Sequence, residues 1–126
     1  MDNEKIYLLA ELTVLPEFLD EVKGLLKETL IPTLQEPGCE AMFETSRESD
    51  PHKLVFFEIF SSSAAHKFHL EQDYMQRMFT ALEGKLAGAP VMTNLNALQR
   101  SRRALLRCLG RCHFLHRELA SISDEA

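Results

Sequence analysis

The run Leu54-Val55-Phe56-Phe57-Glu58-Ile59-Phe60 puts apolar side chains on both faces of any strand it forms. Alternation sends Leu54, Phe56, Glu58 and Phe60 to one side and Val55, Phe57 and Ile59 to the other. Leaving either side in water is costly, so the chain needs a fold that covers both faces of a sheet. A second segment makes the same demand: Ile6, Leu8, Ala10 and Leu12 alternate with Tyr7, Leu9, Glu11 and Thr13.

Between such segments the apolar period changes from two to about 3.6 residues. A first strand is expected over Ile6 to Val14, stopped by Leu15-Pro16 because proline cannot continue the ladder. From Glu17, the recurrence of Phe18, Val22, Leu25, Leu26, Leu30 and Leu34 predicts an amphipathic helix with Asp20 and Glu21 in its first turn, where acids suit the helix dipole. Pro37-Gly38 breaks it, Cys39 to Arg47 reads as a second strand, and the polar Glu48-Ser49-Asp50-Pro51 turn leads to a third over His52 to Phe60. Ser61-Ser62-Ser63 offers N-caps for a helix from Ala64 to about Leu86, interrupted near Gln72-Asp73, before Gly88-Ala89-Pro90 and a fourth strand over Val91 to Leu98.

This βαββαβ order predicts an α+β, ferredoxin-like fold: a four-stranded antiparallel sheet with its helices on one face. The other face is also apolar, and a homodimer that stacks sheet on sheet covers it, at roughly 25 cal/mol per Å² removed from water. Residues 1–98 make up this domain. Residues 99–126 are expected to form a helical extension, with Leu105, Leu109, Cys112, Leu115, Leu119 and Ile122 as a stripe among Arg100, Arg102, Arg103, Arg107, Arg111 and Arg117.

Those arginines belong to a chain whose 14 Lys and Arg are outnumbered by 19 Asp and Glu. The body is therefore acidic and the tail basic. An acidic body argues against nucleic acid as a partner, since phosphates are neutralised by clustered cations. The basic tail suits docking onto an acidic subunit. No run approaches the roughly 20 apolar residues of a membrane span, and Met1-Asp2-Asn3-Glu4 lacks the pattern of a secretory leader. A cytoplasmic location without membrane association is expected. The 3 cysteines suggest no disulfide framework.

Several segments together resemble the antibiotic biosynthesis monooxygenase domain: Leu9-Ala10-Glu11-Leu12-Thr13-Val14 with Pro16, the Glu36-Pro37-Gly38-Cys39 turn, Phe57-Glu58-Ile59-Phe60, and Ala64-Ala65-His66-Lys67-Phe68-His69-Leu70. The resemblance covers about residues 5–98. It implies a dimeric α+β barrel, a pocket between sheet and helices, and oxygenation of an activated aromatic by O2 without a metal or organic cofactor. His69 matches the histidine that this family commonly carries on the second helix, which makes it the expected base. Phe60 stands where relatives often have Trp or Tyr. Where they often place a second histidine, in a Thr-Pro-His segment, this chain has Gln72-Asp73-Tyr74, so Tyr74 is the remaining hydrogen-bond donor. The chain has no tryptophan, which argues against a haem-degrading member.

Elementary chemistry agrees with that assignment of roles. A deprotonated phenol or quinol can pass an electron to oxygen directly, given a base, a dry cavity and orientation. Imidazole, with a reference pKa of about 6.5, suits a base at neutral pH. His69, Glu58 and Tyr74 are the catalytic candidates, with Glu58 expected to orient His69 or a substrate hydroxyl. Phe56, Phe60, His66 and Glu11 are candidate substrate contacts. A purely structural role would pair Glu58 with Lys67, His66 or Arg77. Two metal readings are set aside. His66, His69 and Asp73 share a helical spacing that arises readily by chance, and one helix bearing Cys108, Cys112, His113 and His116 cannot surround an ion. The same acid/base pair also suits an isomerase or lyase, and the pocket alone a non-enzymatic binding dimer.

Overall fold

The structure is a computed structural model and describes residues 4–99. Its elements are β1 (Ile6–Thr13), a 3-10 turn (Pro16–Phe18), α1 (Leu19–Gln35), β2 (Cys39–Arg47), β3 (Asp50–Phe60), α2 (Ser63–Glu71), α3 (Asp73–Leu82) and β4 (Val91–Leu95). The sheet runs β2-β3-β1-β4, antiparallel throughout. This is the ferredoxin-like order expected from the sequence, with the two strands of mixed demand, β1 and β3, at the centre.

Register decides which side chains meet. Leu8 faces Glu58, Ala10 faces Phe56 and Leu12 faces Leu54, and all six are buried on one side of the sheet. There Ala10, Leu12, Leu54 and Phe56 pack with Val22 and Leu26 of α1 and with Met75, Met78 and Leu82 of α3. On the other side the rings of Phe43 and Phe57 stack with centroids 6.5 Å apart, and Phe43, Val91 and Leu95 are exposed.

The buried face of α1, the end of α3, the start of β3 and the end of β4 differ from the sequence-based expectation. α1 buries Val22, Leu26, Thr29 and Thr33, whereas Leu34 is 54 % exposed. The threonines can turn inward because each hydroxyl donates to a carbonyl of its own helix, Thr29 to Leu25 and Thr33 to Thr29, both at 2.8 Å. The interruption expected near Gln72-Asp73 is present: it parts the second helix into two at Gln72, whose backbone is extended. α3 stops at Leu82 rather than Leu86, since Gly84 takes φ 76°, a left-handed stop that glycine alone adopts freely. Leu86 then bridges to Val14. β3 starts earlier, at Asp50, and β4 ends at Leu95, short of Leu98. The expected helical extension over residues 99–126 lies outside the described residues, Gln99 apart. No helix among the described residues is long and apolar enough to cross a membrane.

The turn after α1 places the site. Ser61 N–H donates to the Gly38 carbonyl at 2.8 Å, and Ser62 caps α2 by accepting from Ala65 N–H at 3.0 Å. A Cβ on Gly38 would stand 2.3 Å from Cβ of Ala65, so glycine is required for the close approach of this turn to α2. Gly38→Ala should therefore cost about 1–3 kcal/mol in urea-unfolding free energy. An unchanged midpoint and slope would show that the two segments are not held this closely.

Candidate functional site

Glu36 follows α1 directly, and the Gly38 turn delivers its side chain beneath the helices. The residue is 7 % exposed. Its Oε2 lies 2.8 Å from Nδ1 of His69 on α2 and also accepts from the hydroxyl of Tyr74 on α3. A carboxylate accepts, so Nδ1 carries a proton, and in the neutral ring the lone pair is then on Nε2. His69 is itself 2 % exposed, and its ring packs on Phe60 with centroids 5.0 Å apart, as does that of His66. Burial, followed by the hydrogen bond and charge of Glu36, pushes the Tyr74 phenol well above its ordinary value. Tyr74 is therefore a fixed donor.

The break at Gln72 makes this convergence possible. Turning the chain there lets α3 present Tyr74 to the carboxylate that His69 reaches from α2. The carbonyls left free at the end of α2 are recaptured by side chains: Gln72 donates to Phe68 at 2.8 Å and Gln76 to Leu70 at 2.7 Å.

Between the sheet and the helices lies a cavity of about 120 Å³. Its walls are mainly apolar, including Met42, Phe56, Met75, Met78 and Met92, and its polar groups include His66, His69, Glu44 and Glu58. Glu58 is 6 % exposed. Burial, and then the charge of Glu44, raises its carboxyl to about 7. Burial alone raises Glu44 to about 7. Burial, then repulsion from His69, lowers His66 below its ordinary value, favouring the neutral ring. Cys39, near this cluster, has its thiol raised by burial and by the charges of Glu36 and Glu58, which disfavours the reactive thiolate.

The family model for antibiotic biosynthesis monooxygenases matches residues 5–81. The chain belongs to the antibiotic biosynthesis monooxygenase family. Solved structures agree. A protein of Caulobacter crescentus CB15, named as a candidate antibiotic biosynthesis monooxygenase, is 26 % identical with a TM-score of 0.73 over 78 % of this chain and 93 % of its own. A similarly named protein of Nitrosomonas europaea shares the fold at 13 % identity, with a TM-score of 0.74 over 80 % of this chain and 97 % of its own. Rv0793 from Mycobacterium tuberculosis does so at 20 % identity, with a TM-score of 0.73 over 78 % and 99 %. No curated protein matches the chain.

Within this family fold, His66, His69, Glu58 and Phe56 all line the one cavity. Several expectations need correction. The partner of His69 is Glu36 and not Glu58, because the Gly38 turn brings Glu36 to Nδ1. Glu58 makes no ion pair with Lys67, His66 or Arg77; Lys67 instead lies 3.9 Å from Glu71. Glu11 stands on the opposite face, between Ala10 and Leu12, and pairs with Arg47 at 3.0 Å. Phe60 and Tyr74 do not line the cavity: Phe60 backs the two imidazoles and Tyr74 holds Glu36. Asp73 begins a separate helix, so the spacing that joined it to His66 and His69 no longer applies. Sequence reasoning missed Glu36 and Glu44. Strand alternation puts Glu44 on the face of Met42, and the register sets it opposite Phe56, but that register is not visible in the sequence.

The raised Glu58 carboxyl makes stability depend on pH. In the folded chain it holds its proton up to about pH 7, against 4.5 for an ordinary glutamate. Through that window the folded state binds the extra proton, so stability falls as pH rises, by about 3 kcal/mol in all. Glu58→Gln should remove this loss. The variant should be more stable than wild type by urea unfolding at pH 8, and the difference should vanish near pH 4.5; equal gaps at both pH values would refute the burial of this carboxyl.

Proposed function

We propose that this family member is a cofactor-independent monooxygenase of a small aromatic, quinol-type substrate, with His69 as its general base. The observation that carries the reading is a buried imidazole, fixed at Nδ1 by Glu36, on the wall of a largely apolar cavity. Nε2 of His69 makes no hydrogen bond among the described residues and can take the proton of a substrate hydroxyl. Glu36 steadies the imidazolium that forms, and Tyr74 keeps Glu36 in place. The electron-rich ring then gives an electron to O2, and carbon–oxygen bond formation leads to a peroxide. As the O–O bond breaks, the departing oxygen takes up the ring proton and the proton returned by His69, which yields a quinone and one water. One oxygen atom enters the product and the other leaves as water. An apolar cavity protects the intermediates from solvent.

Oxygen uptake with candidate quinols tests the reading. His69→Ala should lower the rate by about 10²-fold or more in protein that still melts cooperatively, and Glu36→Gln should lower it while preserving side-chain volume. An undiminished rate in His69→Ala would exclude this residue as the base. Turnover that continues without oxygen would select an isomerase or lyase instead.

We also infer a homodimer formed through the sheet face that carries Phe43, Phe57, Val91 and Leu95, since this apolar face has no covering element among the described residues. Phe57→Asp should yield a monomer in sedimentation. A variant that sediments with wild type would place the interface elsewhere.

A further inference from the structure

The cavity contains more acid than the proposed chemistry of His69 uses. Glu44 and Glu58 stand diagonally on neighbouring strands, since Glu58 pairs with Met42 and Glu44 with Phe56, and both line the cavity. Neither makes a hydrogen bond or an ion pair among the described residues. Buried acids are usually paired, because an uncompensated charge away from water is expensive. Among the described residues no lysine or arginine lines the cavity, and His66 is biased towards its neutral form. Two further observations point to a ligand rather than to a solvated acidic patch. Glu58 is 6 % exposed and His69 2 %, and the free Nε2 of His69 belongs to the same cavity wall.

We propose that Glu44 and Glu58 form a cation subsite, so that the cavity takes a one-ring phenol carrying a protonated amine, its hydroxyl at His69 and its ammonium group at the two carboxylates. The hydroxyl half of this assignment rests on the reading of His69 as base; the cation half rests on the carboxyl pair alone. A cavity of about 120 Å³ suits a single ring, given that an engineered cavity of about 150 Å³ takes benzene. The rim is open enough for a short side chain, with Phe79 41 % and Met92 51 % exposed. Phe56 and Phe79 also line the cavity, and aromatic rings attract cations to their faces. An ammonium group entering between the acids supplies the missing counter-charge, whereas a carboxylate in the same place meets two like charges.

Three rings of similar size separate these cases: tyramine, 4-ethylphenol and 3-(4-hydroxyphenyl)propionate, which differ mainly in charge. Their dissociation constants are measured by calorimetry on the full chain under nitrogen at pH 8, where both carboxyls are largely ionised. Wild type should bind tyramine at least about tenfold more tightly than 4-ethylphenol and the propionate most weakly. The tyramine advantage should shrink in Glu58→Gln and in Glu44→Gln and vanish in the double variant. Each substitution preserves volume, and thermal melting verifies the fold. Equal affinity of wild type for tyramine and 4-ethylphenol overturns the proposal, as does a tyramine advantage that survives in the double variant or a failure of all three rings to bind at millimolar concentration. A charge preference that depends on Glu44 and Glu58, in a protein that consumes no oxygen with candidate quinols, supports the cation subsite and overturns the oxygenase reading alone.

Discussion

A single carboxylate oxygen, Oε2 of Glu36, ties three helices together. The residue caps the end of α1, accepts from α2 through His69 and accepts from α3 through Tyr74. Both contacts are distant in sequence, and neither forms until the helices have packed on the sheet. Within a buried setting such a shared acceptor fixes the geometry of all its donors, because any displacement strands a polar group away from water. Oε1 of the same carboxyl has no partner among the described residues, so the structure tolerates one unsatisfied atom while fixing the other. The site is therefore assembled by the same contact that sets the helix positions.

Much of the architecture was legible because it rests on local periodicity. β1 and β3 announced themselves by apolar groups on both faces, α1 by its three- and four-residue recurrence, and the cap of α2 by its serine run. The misread parts depend on what touches what. Leu34 looked like a continuation of the apolar stripe of α1, yet Thr29 and Thr33 take the inward positions once their hydroxyls are satisfied by their own helix. The end of α3 was set too late because the left-handed Gly84 stands only a few residues before the more conspicuous Gly88-Ala89-Pro90.

The candidate site divides in the same way. Glu58 and Phe56 share a strand face by alternation, and the family resemblance singled out His69 on the following helix; all three line the cavity, as does His66. The identity of the carboxylate on His69 was not legible, since Glu36 reaches it through a turn whose closeness to α2 depends on the missing Cβ of Gly38. Glu44 escaped notice for a different reason. Its significance lies in being diagonal to Glu58, and a strand's register with its neighbour is a tertiary fact. Glu11 was misplaced by its company, as it shares a motif with apolar residues that face the other way.

The chamber walls include Met42, Met75, Met78 and Met92. Thioether side chains are long, unbranched and polarizable, and they reshape at little energetic cost. The chamber walls are consequently soft, and their fixed points are the few carboxyl and imidazole groups. Exchanging one of those methionines for a stiff β-branched residue is thus a route to stiffening the chamber without disturbing its carboxyl and imidazole groups.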